Sequence, residues 1–331
     1  MTRRIAVILG GRSSENAVSV ESARSVVGAL ESSGDEVVSV EIGKSGQWQL
    51  GSSTKQIEAG ERLPSKEVAT TLSQVDVVFP VLHGPFGEDG TVQGLLELAG
   101  VPYVGAGVLA SALCMDKDIF KAVLRDHGIP VTENITLRAG DEPRSPFGYP
   151  CFVKPARLGS SVGITKAHDE EELHAGVALA FEHDEKVLVE RMVSGVEVEV
   201  GVLGNLTPTA SLPGEIVVMN NEWYDYEAKY DEGEMDLRVP ARISDGQIER
   251  AQQLAVQAFV ACDCEGMARA DLFVRDDGEV LVNELNTIPG FTSTSVYARL
   301  FAASGVPYGE LLQRLADLAV ERFERRSQLR F

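Results

Sequence analysis

Cysteine is scarce in this sequence: Cys114, Cys151, Cys262 and Cys264 are the only four among 331 residues. Only the last pair is close, as Cys-Asp-Cys, which is not zinc-ligand spacing, so neither a thiolate metal centre nor a disulfide framework is expected. Free, mostly buried thiols in a reducing, cytoplasmic compartment are the simple reading. Positive charge is short too. Thirty Lys and Arg face 50 Asp and Glu, a formal net charge of -20. Such a surface repels phosphate backbones and anionic bilayers, which excludes nucleic acid and membrane as general partners. A small nucleotide responds to its local site and metal, so it is not excluded. There is no long apolar run. The N-terminal MTRRIAVILGG is too short to span a bilayer and reads as a first β-strand rather than a signal peptide. The common nucleotide fingerprints are incomplete: no Gly-Lys-Ser/Thr closes a glycine loop, and LGGRSSE lacks the third glycine of the dinucleotide motif.

Apolar residues make up 44% of the chain, enough for a sizeable core, and 32 Gly with 14 Pro indicate a globular protein rich in turns. The length suggests roughly two or three domains. Residues 4–10 form an apolar run ending at glycine, the pattern of a strand buried in a parallel sheet. A helical pattern over 14–30, strands at 36–42 and 75–84, helical spacing over 91–98 and a short strand at 101–105 complete an α/β unit. Ligands of such sheets sit at the carboxyl ends of the strands, where Glu15 and His83 fall. The character changes near Cys114. A helix over 116–127, a strand at PCFVKP, a helix over 169–181 and a strand at 186–193 read as a small α+β unit. Strands at 196–203, 213–218, 267–274 and 279–285, with helices at 244–261 and 308–326, form a third. The polar stretch 220–238 has too little apolar content for a core element and reads as a functional lid. The expected division is 1–113, 114–204 and 205–331.

Chemistry concentrates in a few segments. In ARADLF…VLVNELN, residues two apart on a strand share a face, so Arg269 joins Asp271 and Glu284 joins Asn286. A hairpin turning at Asp276-Asp277-Gly278 would bring these four together. Such a surface is either a solvated hairpin face or a set of hard oxygen ligands for Mg²⁺. In FVKPARLGSSVG, Lys154 ends a strand before a small, flexible loop, either a plain turn or a phosphate cradle. HGPFGEDG sets His83 just after a strand, where it is either a core histidine or a substrate contact; Glu88 and Asp89 are candidate caps for the helix starting near Thr91. Glu190 and Glu197 are either surface carboxylates or contacts of an adenosine.

Taken in order, LGGRSSE, HGPFGEDG, MDKD, FVKPARLGSSVG, YDYEAKY, ARADLF and NELNTIPGFTSTS resemble the D-alanine–D-alanine ligase family of ATP-grasp enzymes, over essentially the whole chain. The resemblance implies two α+β domains enclosing ATP behind an N-terminal α/β domain. It implies ATP-dependent joining of two D-alanines through an acyl phosphate, with two Mg²⁺ or Mn²⁺ ions, in a homodimer. Glu15 matches the acid that orients the first D-alanine by its amino group, and His83 a residue near that substrate. Lys117 and Lys154 match two lysines on the phosphates. Ser160, over the γ-phosphate, matches the serine linking Glu15 to a tyrosine. Tyr230 would be that tyrosine, with Lys229 reaching toward phosphate. Arg269 matches the arginine that stabilises the oxyanion, and Asp271, Glu284 and Asn286 match the metal ligands. Gly290 and Ser295 match the groups holding the second substrate. Glu190, Met192, Val193, Glu197, Phe273 and Asn283 fall on the nucleotide side. The chain departs from many members in having Met192 where an aromatic stands and Tyr297-Ala298-Arg299 for Tyr-Pro-Lys. The lid tyrosine favours a dipeptide over a D-alanine–D-lactate product; D-serine as second substrate stays open. A nicotinamide-dependent oxidoreductase lacks support in the missing third glycine, and a non-catalytic nucleotide module has no use for both the metal trio and Arg269.

Overall fold

The computed structural model describes residues 2–51, 70–218 and 235–330. The apolar run at the N-terminus is β1 (Arg4–Gly10), in which Ile5 to Leu9 are wholly buried. It is flanked in parallel by β2 (Glu36–Ile42) and β4 (Val77–Pro80), with β3 (Trp48–Gly51) antiparallel at the edge. α1 (Asn16–Ser32) follows β1, and α2 (Thr91–Ala99) follows β4. The strand expected over 75–84 is regular only at Val77–Pro80, and the one at 101–105 contributes a single bridge between Tyr103 and Val78. Proline has no N–H to extend a ladder, and the chain turns there into the HGPFGEDG loop.

Two further helices, α3 (Val108–Met115) and α4 (Lys117–Asp126), lead into an antiparallel sheet. Its strands are β5 (Asn134–Arg138), β6 (Cys151–Pro155), β7 (Thr165–Ala167) and β8 (Lys186–Arg191), in the order β5-β8-β6-β7. α5 (Glu170–Phe181) covers one face, burying Leu173 and Val177 against Val153 and Val187. Asp116 and Asp169 begin α4 and α5 by accepting backbone N–H groups of Ile119 and Glu172, which satisfies donors that a helix start leaves unpaired.

The third sheet is built from β9 (Gly195–Gly204), β10 (Thr209–Ala210), β11 (Gly214–Val218), β12 (Met235–Arg238), β13 (Gly266–Arg275) and β14 (Val280–Asn286). Its order is β12-β11-β9-β13-β14, with β10 alongside β9. β9 pairs with β13 from Gly195↔Arg275 to Gly204↔Gly266, so this sheet begins before the boundary expected after residue 204. The hairpin turns where expected, with Gly278 donating to the Arg275 carbonyl. The lid stretch is partly corrected: 235–238 is strand, with Leu237 buried, and 219–234 lies outside the described residues. The strand is short, and its Asp236 and Arg238 are exposed on either side of Leu237, which leaves little apolar pattern to read.

α6 (Asp245–Ala261) packs Leu254 and Phe259 on one face of this sheet, against Val198, Val200 and Leu272. α7 (Val296–Ala303) and α8 (Tyr308–Ser327) close the chain. Leu311, Leu312 and Leu315 of α8 share a core with Val7 and Leu9 of β1 and with Phe291 and Tyr297. The C-terminal helix is thus part of the cover of the N-terminal sheet. All four cysteines are free and buried, as expected. Among the described residues no helix is long and apolar enough to cross a membrane. A parallel α/β sheet followed by two antiparallel sheets with helices is the mixed α/β and α+β architecture read from the sequence.

Candidate active site

A cleft of about 770 Å³ opens where the three sheets meet. Glu15, His83, Lys117, Ser160, Arg269, Glu284, Asn286, Gly290 and Ser295 all line it, brought together from every part of the chain.

Its first corner lies at the carboxyl ends of β1 and β4. Glu15 precedes α1 and is buried, and the Ser160 hydroxyl donates to its Oε1. Space for this carboxylate depends on Gly84, which has φ of +73°; a Cβ there would lie 2.5 Å from Glu15 Oε2. Ser160 and Ser161 both hold left-handed backbone, with φ of 52° and 58°. Such conformations cost energy in residues other than glycine and concentrate at binding loops. His83 Nδ1 lies 3.0 Å from the Ile288 carbonyl, which can only accept, so Nδ1 carries the proton. Burial holds this imidazole below its usual pKa in spite of the nearby Glu15 charge. Its Nε2 faces the Ser22 hydroxyl at 3.4 Å, and that hydroxyl in turn accepts the Phe291 N–H.

Glu88 corrects its assignment as a helix cap. Asp89 accepts the Thr91 N–H at 3.0 Å, whereas Glu88 is buried in the cleft wall and accepts the Gly84 N–H at 2.7 Å. Burial, and then the charge of Glu15, pushes the Glu88 carboxyl up to about 8.

The opposite wall is the β9-β13-β14 face. Arg269 stands across from Asn286, and Asp271 from Glu284. The register then slips after Asp271, so Asn283 is an extra residue in β14 and bulges beside Glu284. A bulge of this kind bends the strand and re-aims its side chains. On the other side Asp271 faces Glu199 and Phe273 faces Glu197, which puts all these groups on one surface. The Arg269 guanidinium is fixed by both oxygens of Asp271, at 2.7 Å each, and by Glu199 at 3.0 Å. Asn286 Oδ1 accepts the Ile288 N–H at 3.1 Å. Sequence reasoning missed Glu199, which reads as one more polar residue in an alternating strand.

This face suits a hard cation as part of a larger set. Among the described residues no three His, Cys, Asp or Glu side chains converge as a cage. Two carboxylates and one amide provide too few ligands for octahedral Mg²⁺, so phosphate oxygens and water would have to complete the shell.

On the third side Lys117 lines the cleft, whereas Lys154 and Lys121 are not among its walls. Lys117 Nζ donates to the Leu158 carbonyl at 2.8 Å and lies 3.5 Å from Glu284. Lys154, at the end of β6, pairs with Glu190 at 2.7 Å, and Glu190 also pairs with Lys121 at 2.6 Å. Burial alone would raise the Glu190 carboxyl, but the two lysines bring it down to about 2. Its side chain is therefore not the surface carboxylate that the sequence left open. Met192 and Val193 sit apart from the main cleft, in a neighbouring depression with Arg191 and Leu281. Arg299, the counterpart of the expected lysine, donates to the Leu237 carbonyl and does not line the cleft.

At the far end Ser295 precedes α7. Its hydroxyl accepts the Thr292 N–H at 2.9 Å, and a Cβ at Gly290 would come within 3.4 Å of that oxygen. Lys229 and Tyr230 lie outside the described residues.

Two family models match the chain: "D-ala D-ala ligase N-terminus" over residues 4–106 and "D-ala D-ala ligase C-terminus" over residues 123–317. The D-alanine–D-alanine ligase of Deinococcus radiodurans is 47% identical over 338 residues, covering 97% of this chain and 99% of the relative. That of Thermoanaerobacter pseudethanolicus is 46% identical over 348 residues, covering 96% and 97%. Among solved structures, the D-alanine–D-alanine ligase from Coxiella burnetii superposes with a TM-score of 0.85 at 35% identity, covering 99% of this chain and 96% of the other. The VanG D-Ala:D-Ser ligase from Enterococcus faecalis gives 0.86 at 37% identity, covering 96% and 100%. With its cleft built from both matched regions, the chain belongs to the D-alanine–D-alanine ligase family.

Proposed function

We propose that this protein joins two molecules of D-alanine into D-alanyl-D-alanine while ATP is split to ADP and phosphate, supplying a precursor of peptidoglycan. The observation that carries the reading is the meeting, in one cleft, of the buried carboxylate of Glu15 with Lys117, Arg269, Glu284 and Asn286, while Asp271 is bonded to Arg269 and Lys154 to Glu190 beside it.

A carboxylate is a poor electrophile. An oxygen of the first D-alanine attacks the γ-phosphorus of ATP, ADP leaves, and D-alanyl phosphate forms. This transfer needs positioned cations more than a protein nucleophile. Lys117 and Lys154 supply fixed charge, and Asp271, Glu284 and Asn286 would hold Mg²⁺ or Mn²⁺. When bound, the metal neutralises charge on the transferring phosphoryl group. Glu15, steadied by Ser160, receives the ammonium of the first D-alanine. The amine of the second D-alanine then attacks the acyl carbon. The oxyanion of that tetrahedral intermediate falls to Arg269 and the Gly290 N–H, as preorganised donors require. Phosphate departs with the C–O bond, the nitrogen loses a proton, and the peptide bond is complete. Ser295 holds the carboxylate of the second substrate. Because water would hydrolyse the acyl phosphate, the part of the 220–238 stretch that precedes β12 serves as a cover, with Tyr230 joining Ser160 and Glu15 and Lys229 reaching the phosphates. Glu190, Met192, Val193, Glu197, Phe273 and Asn283 form the nucleotide side.

On this reading the protein works in the cytoplasm as a homodimer. Its domains are 1–113, a central unit and a C-terminal unit, the last two divided nearer Gly195 than residue 204, in keeping with the membership of β9 in the third sheet. The resemblance to a D-Ala:D-Ser ligase makes D-serine the alternative second substrate. The test is phosphate release from ATP with D-alanine, D-serine, L-alanine and D-lactate, each product identified by mass. D-Alanyl-D-alanine formed with D-alanine alone is expected; ATP turnover without a dipeptide would end this reading.

A further inference from the structure

Lys121 stands out among the buried groups of the described residues, with no solvent-exposed side-chain area at all. It lies on α4, one helical turn beyond Lys117, and its ammonium meets Glu190 at 2.6 Å and also donates to the Thr132 hydroxyl. Glu190 in turn holds Lys154 at 2.7 Å, and Lys154 stacks over the Phe152 ring at 5.7 Å. An ammonium buried so deeply costs several kcal/mol unless it is paired. One carboxylate would suffice to pair Lys154 alone, and that pair would be neutral.

The charge count explains why a second lysine is present. Glu190 aligns Lys154 but also cancels its charge, and the field of Glu284 and Glu197 adds to that cancellation. A neutral pair attracts a nucleotide phosphate poorly. With Lys121 on the far side, its pKa drawn down to about 8 by burial but its ammonium still protonated at neutral pH, Lys121, Glu190 and Lys154 together carry one net positive charge. In a buried site that charge is weakly screened and acts over several ångströms. We propose that Lys121 is a positioning residue of the nucleotide site, which neutralises Glu190 so that Lys154 keeps its charge for the phosphates. The proposal rests on the reading of the cleft as an ATP site.

The test compares affinities for ADP and adenosine by calorimetry in the presence of Mg²⁺, on the wild-type protein, Lys121→Met, and Lys121→Met with Glu190→Gln. Their ratio isolates the phosphate contribution, because contacts to the base cancel. Wild-type protein that does not prefer ADP would overturn the nucleotide reading itself, and this proposal with it. Given that preference, Lys121→Met is expected to reduce the ratio by about tenfold, the size of one charged interaction. Removing the Glu190 charge as well should restore the ratio to within about threefold of wild type, since the net charge near the phosphates returns. A merely structural Lys121 gives the opposite order, the double variant being no better than the single. An unchanged ratio in Lys121→Met, or no recovery in the double variant, would overturn the proposal and leave the nucleotide reading intact. Should Lys121→Met not fold, the double variant, which buries no unpaired carboxylate, decides by itself: a ratio about tenfold below wild type refutes the proposal.

Discussion

The carboxylate of Glu199 lies 3.0 Å from the guanidinium of Arg269, on the neighbouring strand, and has no exposure to solvent. Together with Asp271 it leaves Arg269 little freedom to turn. Misplacement of a group that receives developing charge by as little as an ångström is costly. Glu199→Gln keeps the shape and removes one of the two restraining charges. We expect kcat to fall about 10- to 100-fold with the KM for ATP nearly unchanged, in a steady-state phosphate-release assay. Wild-type kcat in this variant would show that Asp271 alone positions Arg269.

Ser160 and Glu15 lie in loops that follow strands of different sheets, and their hydrogen bond ties the central loop to the N-terminal corner. Hydrogen bonds to charged groups contribute about 1.5–3 kcal/mol. Ser160→Ala should therefore reduce kcat/KM for D-alanine by about 10- to 100-fold. ADP binding should change far less, and calorimetric titration of the same variant checks that separation.

Gly84 has a more demanding position. Its backbone is left-handed, and a methyl group would meet Glu15 Oε2 at 2.5 Å. Gly84→Ala should displace Glu15 and raise the KM for D-alanine while nucleotide affinity is kept. A stability loss of about 1 kcal/mol or more is expected from the backbone conformation, read as a lower midpoint in urea. Unaltered D-alanine kinetics would mean that Glu15 is not the amine anchor.

Glu88 makes stability depend on pH. Its folded-state pKa of about 8 lies above the ordinary value of 4.5. Below pH 4.5 both states hold the proton and the stabilising contribution is complete; between 4.5 and 8 only the folded state holds it, so stability falls as pH rises through that window. Glu88→Gln cannot lose a proton there. Over pH 5 to 8 the wild-type melting temperature should therefore decline more than that of the variant. The difference corresponds to a few kcal/mol, at roughly 1.4 kcal/mol for each tenfold change in proton affinity. Parallel curves for the two proteins would show that Glu88 titrates normally.

Metal dependence separates Asn286 from its neighbours. Both oxygens of Asp271 already accept from Arg269, so loss of the Asn286 amide leaves Glu284 to take more of the cation. Chelation of divalent cations should abolish turnover, and Asn286→Ala should raise the Mg²⁺ concentration for half-maximal rate by at least about tenfold. An unshifted Mg²⁺ requirement would remove Asn286 from the ligand set.

Local signals in the sequence carried the elements furthest. Period-two alternation in ARADLF and VLVNELN specified a hairpin and its polar face, because a strand has no freedom in which side each residue points. The continuous apolar run of β1 specified a doubly covered strand for the same kind of reason. Shorter elements escaped notice: β3 and β5 place few side chains in a core, and α7, although it buries Tyr297, Leu300 and Phe301, runs for only eight residues and leaves little periodicity to detect.

What the sequence determined by itself was the longer elements, the family, and several of the charged side chains of the cleft: these follow from local pattern and motif order. Only the tertiary structure decided which charges neighbour one another. Glu190 between Lys121 and Lys154, Glu199 behind Arg269, Glu88 beside Glu15, and the bulge at Asn283 all depend on pairings between distant segments. Strand register, helix docking and burial set those distances, and the strength of an electrostatic interaction depends on distance and desolvation, neither of which is written in residue order.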